Sequence, residues 1–100
     1  LKGWSYNIRG NIKSALGDFE GAKNDFDIAI DLDPKDADIY INRGINKVQL
    51  DNAKGAISDF TKAIEIDPLN ALAYAHRARS KGIIGDRYYS NNLINIQRNC

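Results

Sequence analysis

Few residues in this chain have the type and spacing that chemistry needs. His76 and Ser80 stand four apart, the separation that puts a base and a nucleophile on one face of a helix. Such a pair also needs donors for a developing oxyanion, and nothing around it supplies them. Asp31, Asp33 and Asp36 have the alternating acidity of a calcium loop. The glycine that makes that loop's sharp turn and the glutamate that closes it are both missing. His76 is the single histidine and Cys100 the single cysteine, at the very end of the chain. No His/Cys metal set and no intrachain disulfide follow from one of each. The glycines fall at turns and in repeated positions, Gly3 and Gly82 apart, and not in a phosphate-cradling run. The expectation is a protein without catalytic residues, metal or cofactor.

The elements that would carry these residues are set by a repeat. Pro34 and Pro68 lie 34 positions apart, and Tyr6, Tyr40 and Tyr74, Arg9, Arg43 and Arg77, and Lys13, Lys47 and Lys81 recur at the same interval. Gly10 and Gly44 match, with Ala78 in the third copy, and Phe26 matches Phe60. Turn-like pairs recur too, as Gly17-Asp18, Asp51-Asn52 and Gly85-Asp86. Within the middle copy, residues 37–50 and 53–66 each read as a helix. Ala56, Phe60, Ala63 and Ile64 share one face of the second, and Asp67-Pro68 ends it. Asp36 and Asn70 stand where an N-cap side chain would accept from first-turn amides. No segment keeps a period of two, so the chain reads as all-α. Glycine inside a helix costs about 1 kcal/mol against alanine. Its reuse at 10 and 44 therefore points to close helix packing, with Phe60, Tyr40 and Leu50 filling the space around it.

With these residues in place, the chain resembles the tetratricopeptide repeat family. The middle copy carries the resemblance: Tyr40, Arg43-Gly44, Lys47, Leu50, Gly55-Ala56-Ile57, Asp59-Phe60 and Lys62-Ala63-Ile64-Glu65-Ile66-Asp67-Pro68. Its Arg-Gly pair is similar to repeats of prokaryotic multi-repeat proteins. The resemblance covers about residues 1–98 of a single domain and implies a right-handed solenoid of helical hairpins with about three repeats. Their bounds are roughly 3–36, 37–70 and 71–100. The third is degenerate, with Ser90, Ile94 and Gln97 where alanine, an aromatic and alanine are expected. Tyr89, Leu93, Ile96 and Cys100 form an apolar stripe one residue out of register, which suggests a terminal capping helix.

The resemblance also implies a concave groove lined by the first helices. It assigns Trp4, Asn7, Ile8 and Asn11 from the first unit, Asp38, Ile41, Asn42 and Ile45 from the second, and Leu72, Ala75, His76 and Arg79 from the third. The family's best-defined subclass holds the carboxylate end of chaperone tails with two lysines, an arginine and two asparagines. Asn11 and Asn42 fall on the asparagine positions, but Asn7 and Leu72 replace the lysines and His76 the arginine. A buried carboxylate needs charged donors, so chaperone tails are not the expected ligand. The expected partner is a protein or peptide segment with an apolar anchor against Ile41, Ile45 and Leu72. Asparagines would hold its backbone and cations an acidic flank.

Composition excludes other classes. Fourteen basic against thirteen acidic residues give a net charge of +1, with no basic excess for nucleic acid. No apolar run is long enough to span a membrane. Charge is uneven: residues 18–38 carry eight acids and two lysines, and residues 71–100 five bases and one acid. That polarity suits solvated helix faces, end-to-end self-association or an oriented encounter with a partner. The chain starts at Leu1 and lacks methionine, which reads as a piece of a longer protein, with the cytoplasm as its expected compartment. Two functions fit: a non-catalytic interaction module (adaptor, scaffold or assembly factor), or a homo-oligomer stacking repeat ends through Tyr89, Leu93 and Ile96.

Overall fold

The computed structural model describes the backbone of residues 1–98 and the side chains of residues 1–87. The described residues form five helices: α1 (Gly3–Ala15), α2 (Phe19–Leu32), α3 (Ala37–Gln49), α4 (Ala53–Ile66) and α5 (Ala71–Arg98). Helices α1/α2 and α3/α4 form two hairpins of the expected design, and α5 stacks on α4. Their ends follow local chemistry. Asp18 and Asn52 accept from the amides of Gly21 and Gly55 at 2.9 Å, capping the second helices. Asp36 caps α3 and Asn70 accepts from Ala73 at the start of α5, as the polar starts predict. Gly17 and Asp51 take left-handed φ values of 87° and 60°, which lets each chain reverse within a short turn.

The core lies between the helices of each hairpin. Ala22, Phe26 and Ala29 in α2, and Ala56, Phe60 and Ala63 in α4, are fully buried. The repeated glycines lie directly against the aromatic rings. A Cβ at Gly10 would stand 2.7 Å from Phe26, and one at Gly44 2.5 Å from Phe60, so neither position admits a side chain without displacing a ring. Tyr40 closes the hairpin end by donating its hydroxyl to the Pro34 carbonyl at 3.0 Å, and Tyr74 repeats this with Pro68 at 3.1 Å.

The third unit departs from the expected hairpin. Gly85-Asp86 forms no turn; α5 runs through it as one 28-residue helix. The first two turns are secured by second helices that bury an alanine, a phenylalanine and another alanine. Ser90, Ile94 and Gln97 offer less to bury, so reversal there gains little to offset its entropy. The stripe of Tyr89, Leu93, Ile96 and Cys100, and with it the capping and end-stacking expectation, lies outside the residues whose side chains are described.

Candidate functional site

Charged pairs brace the wall of the solenoid. Asp25 of α2 accepts from Arg9 of α1 at 2.9 and 2.8 Å and pairs with Lys13 at 3.1 Å. The second hairpin repeats the cluster: Asp59 accepts from Arg43 at 2.9 and 2.8 Å and pairs with Lys47 at 3.0 Å. Arg43 also reaches back to Asp27 at 3.1 Å, tying the second unit to the first. Both aspartates are buried, so Asp25 departs from the solvated face expected for the acidic stretch. The hydrogen bond from Arg9 holds the Asp25 carboxyl below its ordinary range against the opposing cost of burial. Burial opposes the charge of Arg43, but its bonds to Asp59 and Asp27 outweigh it and raise the pKa. Each arginine also stands over the tyrosine three residues before it: Arg9 is 5.2 Å from the Tyr6 ring centre and Arg43 5.8 Å from that of Tyr40. Sequence reasoning registered these arginines only as recurring letters. The 16-residue offset from arginine to aspartate, present twice, was the available signal.

Inside this frame, α1, α3 and α5 present two adjoining depressions. The first, about 440 Å³, lies between α1 and α3 and is lined by Asn11, Ser14, Ala15, Phe19, Asn42, Ile45 and Gln49. The second, about 90 Å³, lies between α3 and α5 and is lined by Ile45, Val48, Gln49, His76, Arg79, Ser80 and Ile83. Ile45 and Gln49 border both, so the two form one continuous groove. Its first half sets three amides and a hydroxyl beside Ala15, Phe19 and Ile45. Its second half sets Ile45, Val48 and Ile83 beside Gln49, His76, Arg79 and Ser80. A further depression, of about 250 Å³, lies apart at the α3–α4 turn, beside the Asp51–Arg87 ion pair.

Five residues that sequence reasoning assigned to the groove line it: Asn11, Asn42, Ile45, His76 and Arg79. Asn7 stands behind them, accepting from the Asn42 amide at 3.0 Å. Ile41 is instead a core residue, 5% exposed, because its position on α3 turns it into the packing between units. Leu72 is exposed but lines neither depression. Trp4 lies on α1 outside both depressions, largely exposed. The apolar wall is therefore Ile45, Val48 and Ile83 rather than Ile41, Ile45 and Leu72. Sequence reasoning missed Ser14, Val48, Gln49 and Ile83, each one turn further along helices already assigned to the groove.

The chemical coincidences dissolve in the same geometry. Ser80 donates its hydroxyl to the backbone carbonyl of His76 at 2.9 Å, and so does not face the imidazole. The His76 ring stacks on Phe60 with 5.5 Å between centres. Burial, and then the charge of Arg79, lowers its pKa below 6.5. Asp36 is occupied in capping α3. Among the described residues no group of three His, Cys, Asp or Glu is placed to hold a metal ion, and no helix is long and apolar enough to cross a membrane.

Comparisons with known proteins agree with this architecture. A family model described as "TPR repeat" matches residues 10–51, and one described as "Tetratricopeptide repeat" matches residues 37–68. No curated protein matches the chain. Among solved structures, the TPR2B domain of yeast Sti1, in a complex with an Hsp70 peptide, is 30% identical. The match covers 88% of this chain and 70% of that one, with a TM-score of 0.79. The second TPR of Spaghetti (RPAP3), bound to the HSP90 peptide SRMEEVD, is 26% identical over 86% of this chain and 80% of that one, with a TM-score of 0.82. The second TPR domain of human RPAP3, in complex with the HSP70 peptide SGPTIEEVD, is 27% identical over 82% and 68%, with a TM-score of 0.77.

Proposed function

Since this chain belongs to the tetratricopeptide repeat family, we propose that it is a non-catalytic interaction module that binds an extended peptide segment along the α1–α3–α5 groove. The observation that carries this reading is a continuous groove along α1, α3 and α5 that sets the amides of Asn11, Asn42 and Gln49 beside the aliphatic side chains of Ile45, Val48 and Ile83. Amides offer both donors and acceptors, so Asn11, Asn42 and Gln49 suit a peptide backbone whatever its sequence. The smaller depression, where Ile45, Val48 and Ile83 come together, takes the anchor. At about 90 Å³ it suits a short branched side chain such as valine. Arg79 at the edge favours an acidic residue next to that anchor.

The related domains bind peptides ending in Glu-Glu-Val-Asp. With Asn7, Leu72 and His76 at the clamp positions, this chain has no matching set of cations for a terminal carboxylate. It instead reads an internal acidic-aliphatic pair, as an adaptor, scaffold or assembly factor would. The test is calorimetric titration with peptides that pair valine with glutamate, with either a free or an amidated C-terminus. Affinity should be nearly unchanged by amidation and should fall about tenfold for Arg79→Ala, as loss of one charged hydrogen bond of ~1.5 kcal/mol requires. A large loss on amidation would return the groove to terminal-carboxylate recognition.

A further inference from the structure

Asn42 lines the first depression, and its amide is held from behind. Its Nδ2 donates to Oδ1 of Asn7 on α1 at 3.0 Å, and Asn7 itself lines neither depression. One turn further along α3, Asn46 does the same with a backbone partner: its Nδ2 donates to the Phe19 carbonyl at 2.9 Å. Both asparagines thus direct their NH2 groups toward the preceding unit, and both leave the carbonyl oxygen over. The Asn46 Oδ1 is buried and accepts from no group of the protein. The Asn42 Oδ1 also accepts no bond among the described residues, but it is not enclosed. Asn42 is partly exposed, and the depression opens over it.

We propose that Asn7 is a positioning residue: it holds the Asn42 amide so that the groove presents a carbonyl oxygen there, and the ligand must bring an N–H to it. This inference rests on the α1–α3–α5 groove being the peptide site. The chemistry follows from the bond, since an amide held through its nitrogen offers chiefly its oxygen to a ligand. An extended peptide satisfies that oxygen with a backbone N–H at an internal residue. A carboxylate cannot, because it only accepts, and it would meet Asn42 oxygen to oxygen. The orientation of Asn42 therefore disfavours a terminal carboxylate by a route separate from the missing cations. Asn7 acts here purely as an acceptor. Asn7→Asp keeps that acceptor, whereas Asn7→Ala removes it and lets Asn42 turn either end to the ligand.

The test titrates the 100-residue chain with the peptide pairing valine and glutamate, and with a series in which one backbone amide at a time becomes an ester. Each ester removes a single N–H. In the wild-type chain one ester position should weaken binding about fivefold, the loss expected for one uncharged hydrogen bond. Asn42→Ala should abolish the penalty at that position. Asn7→Asp should keep it, and Asn7→Ala should reduce it to about twofold or less. Each penalty is a ratio within one variant, so the charge that aspartate adds cancels. A second readout needs no ligand. One side-chain amide proton of Asn42 should exchange slowly with solvent in the wild type and in Asn7→Asp, and quickly in Asn7→Ala. Binding indifferent to every ester, a penalty equal in wild type and Asn7→Ala, or Asn42 exchange untouched by Asn7→Ala would each overturn the role of Asn7 and leave the groove standing. Failure of every peptide to bind would remove the groove reading and this inference with it.

Discussion

In the first two units a helix receives its successor across a bare glycine, and an aspartate from the successor settles between an arginine and a lysine. In the third unit α5 carries Ala78 at the glycine position and Leu93 at the aspartate position, and it does not turn back at all. All three first helices keep Tyr, Arg and Lys at the same places, and all three stack on their neighbours. The difference shows that two separate sets of residues build the molecule. One, on the first helices, stacks units and lines the groove. The other, on the second helices, closes hairpins. The third unit keeps the first set and has lost the second, so it completes the groove without completing a repeat.

The largest test of that division rebuilds the missing set. Changing Ala78→Gly, Ser90→Ala, Leu93→Asp, Ile94→Phe and Gln97→Ala should let Gly85 act as Gly17 and Asp51 do, folding the second half of α5 back onto the first. Small-angle scattering would then give a radius of gyration below the present 15.7 Å. An unchanged radius would mean that the turn, not the docking surface, decides closure.

Phe60→Ala is the sharpest single break in a closed hairpin. Phe60 is fully buried between Gly44 and His76, and its loss should cost about 3–5 kcal/mol in urea unfolding. Asp59→Ala comes next, at about 3 kcal/mol, because it leaves Lys47 without its partner and Arg43 with Asp27 alone, on side chains only 18% and 19% exposed. Asp25→Ala should cost less, since Arg9 is half exposed and water can replace its partner. Equal losses at the two sites would contradict this ranking by burial.

The charges also set the pH behaviour. Asp25 has a folded pKa below its ordinary 3.8, so its contribution is present above that value and is lost as pH falls below it. Asp25→Asn should flatten the acid limb of the stability curve. His76 has a folded pKa below 6.5, so the unfolded chain takes up its proton first and stability declines as pH falls through that value. His76→Phe keeps a ring against Phe60 and should remove this smallest effect; a wild-type curve flat from pH 7.5 to 5.5 would contradict the assignment.

Much of this was legible in the residues. The 34-residue interval of Pro34 and Pro68 and the caps at Asp36 and Asn70 are local signals, and local chemistry decided those elements. Gly85-Asp86 misleads because it has the same turn composition as its counterparts, while closure depends on residues further along. Ile41 misleads because a groove position and a core position differ only by a small rotation about α3, which the stacking of the second unit on the first decides. Arg9 and Asp25 meet only once the hairpin exists, so their pairing is visible as an offset but not as a contact.

On the proposed function the groove, and not the outer faces of the helices, holds the ligand. The most direct measurement is amide chemical-shift mapping of the isotope-labelled chain with an amidated peptide pairing valine and glutamate. The predicted perturbations cluster at Asn11, Asn42, Ile45, Gln49, His76 and Arg79, and leave the exposed sides of α2 and α4 unmoved. Perturbations confined to α2 and α4, or to the Trp4 face of α1, would contradict it.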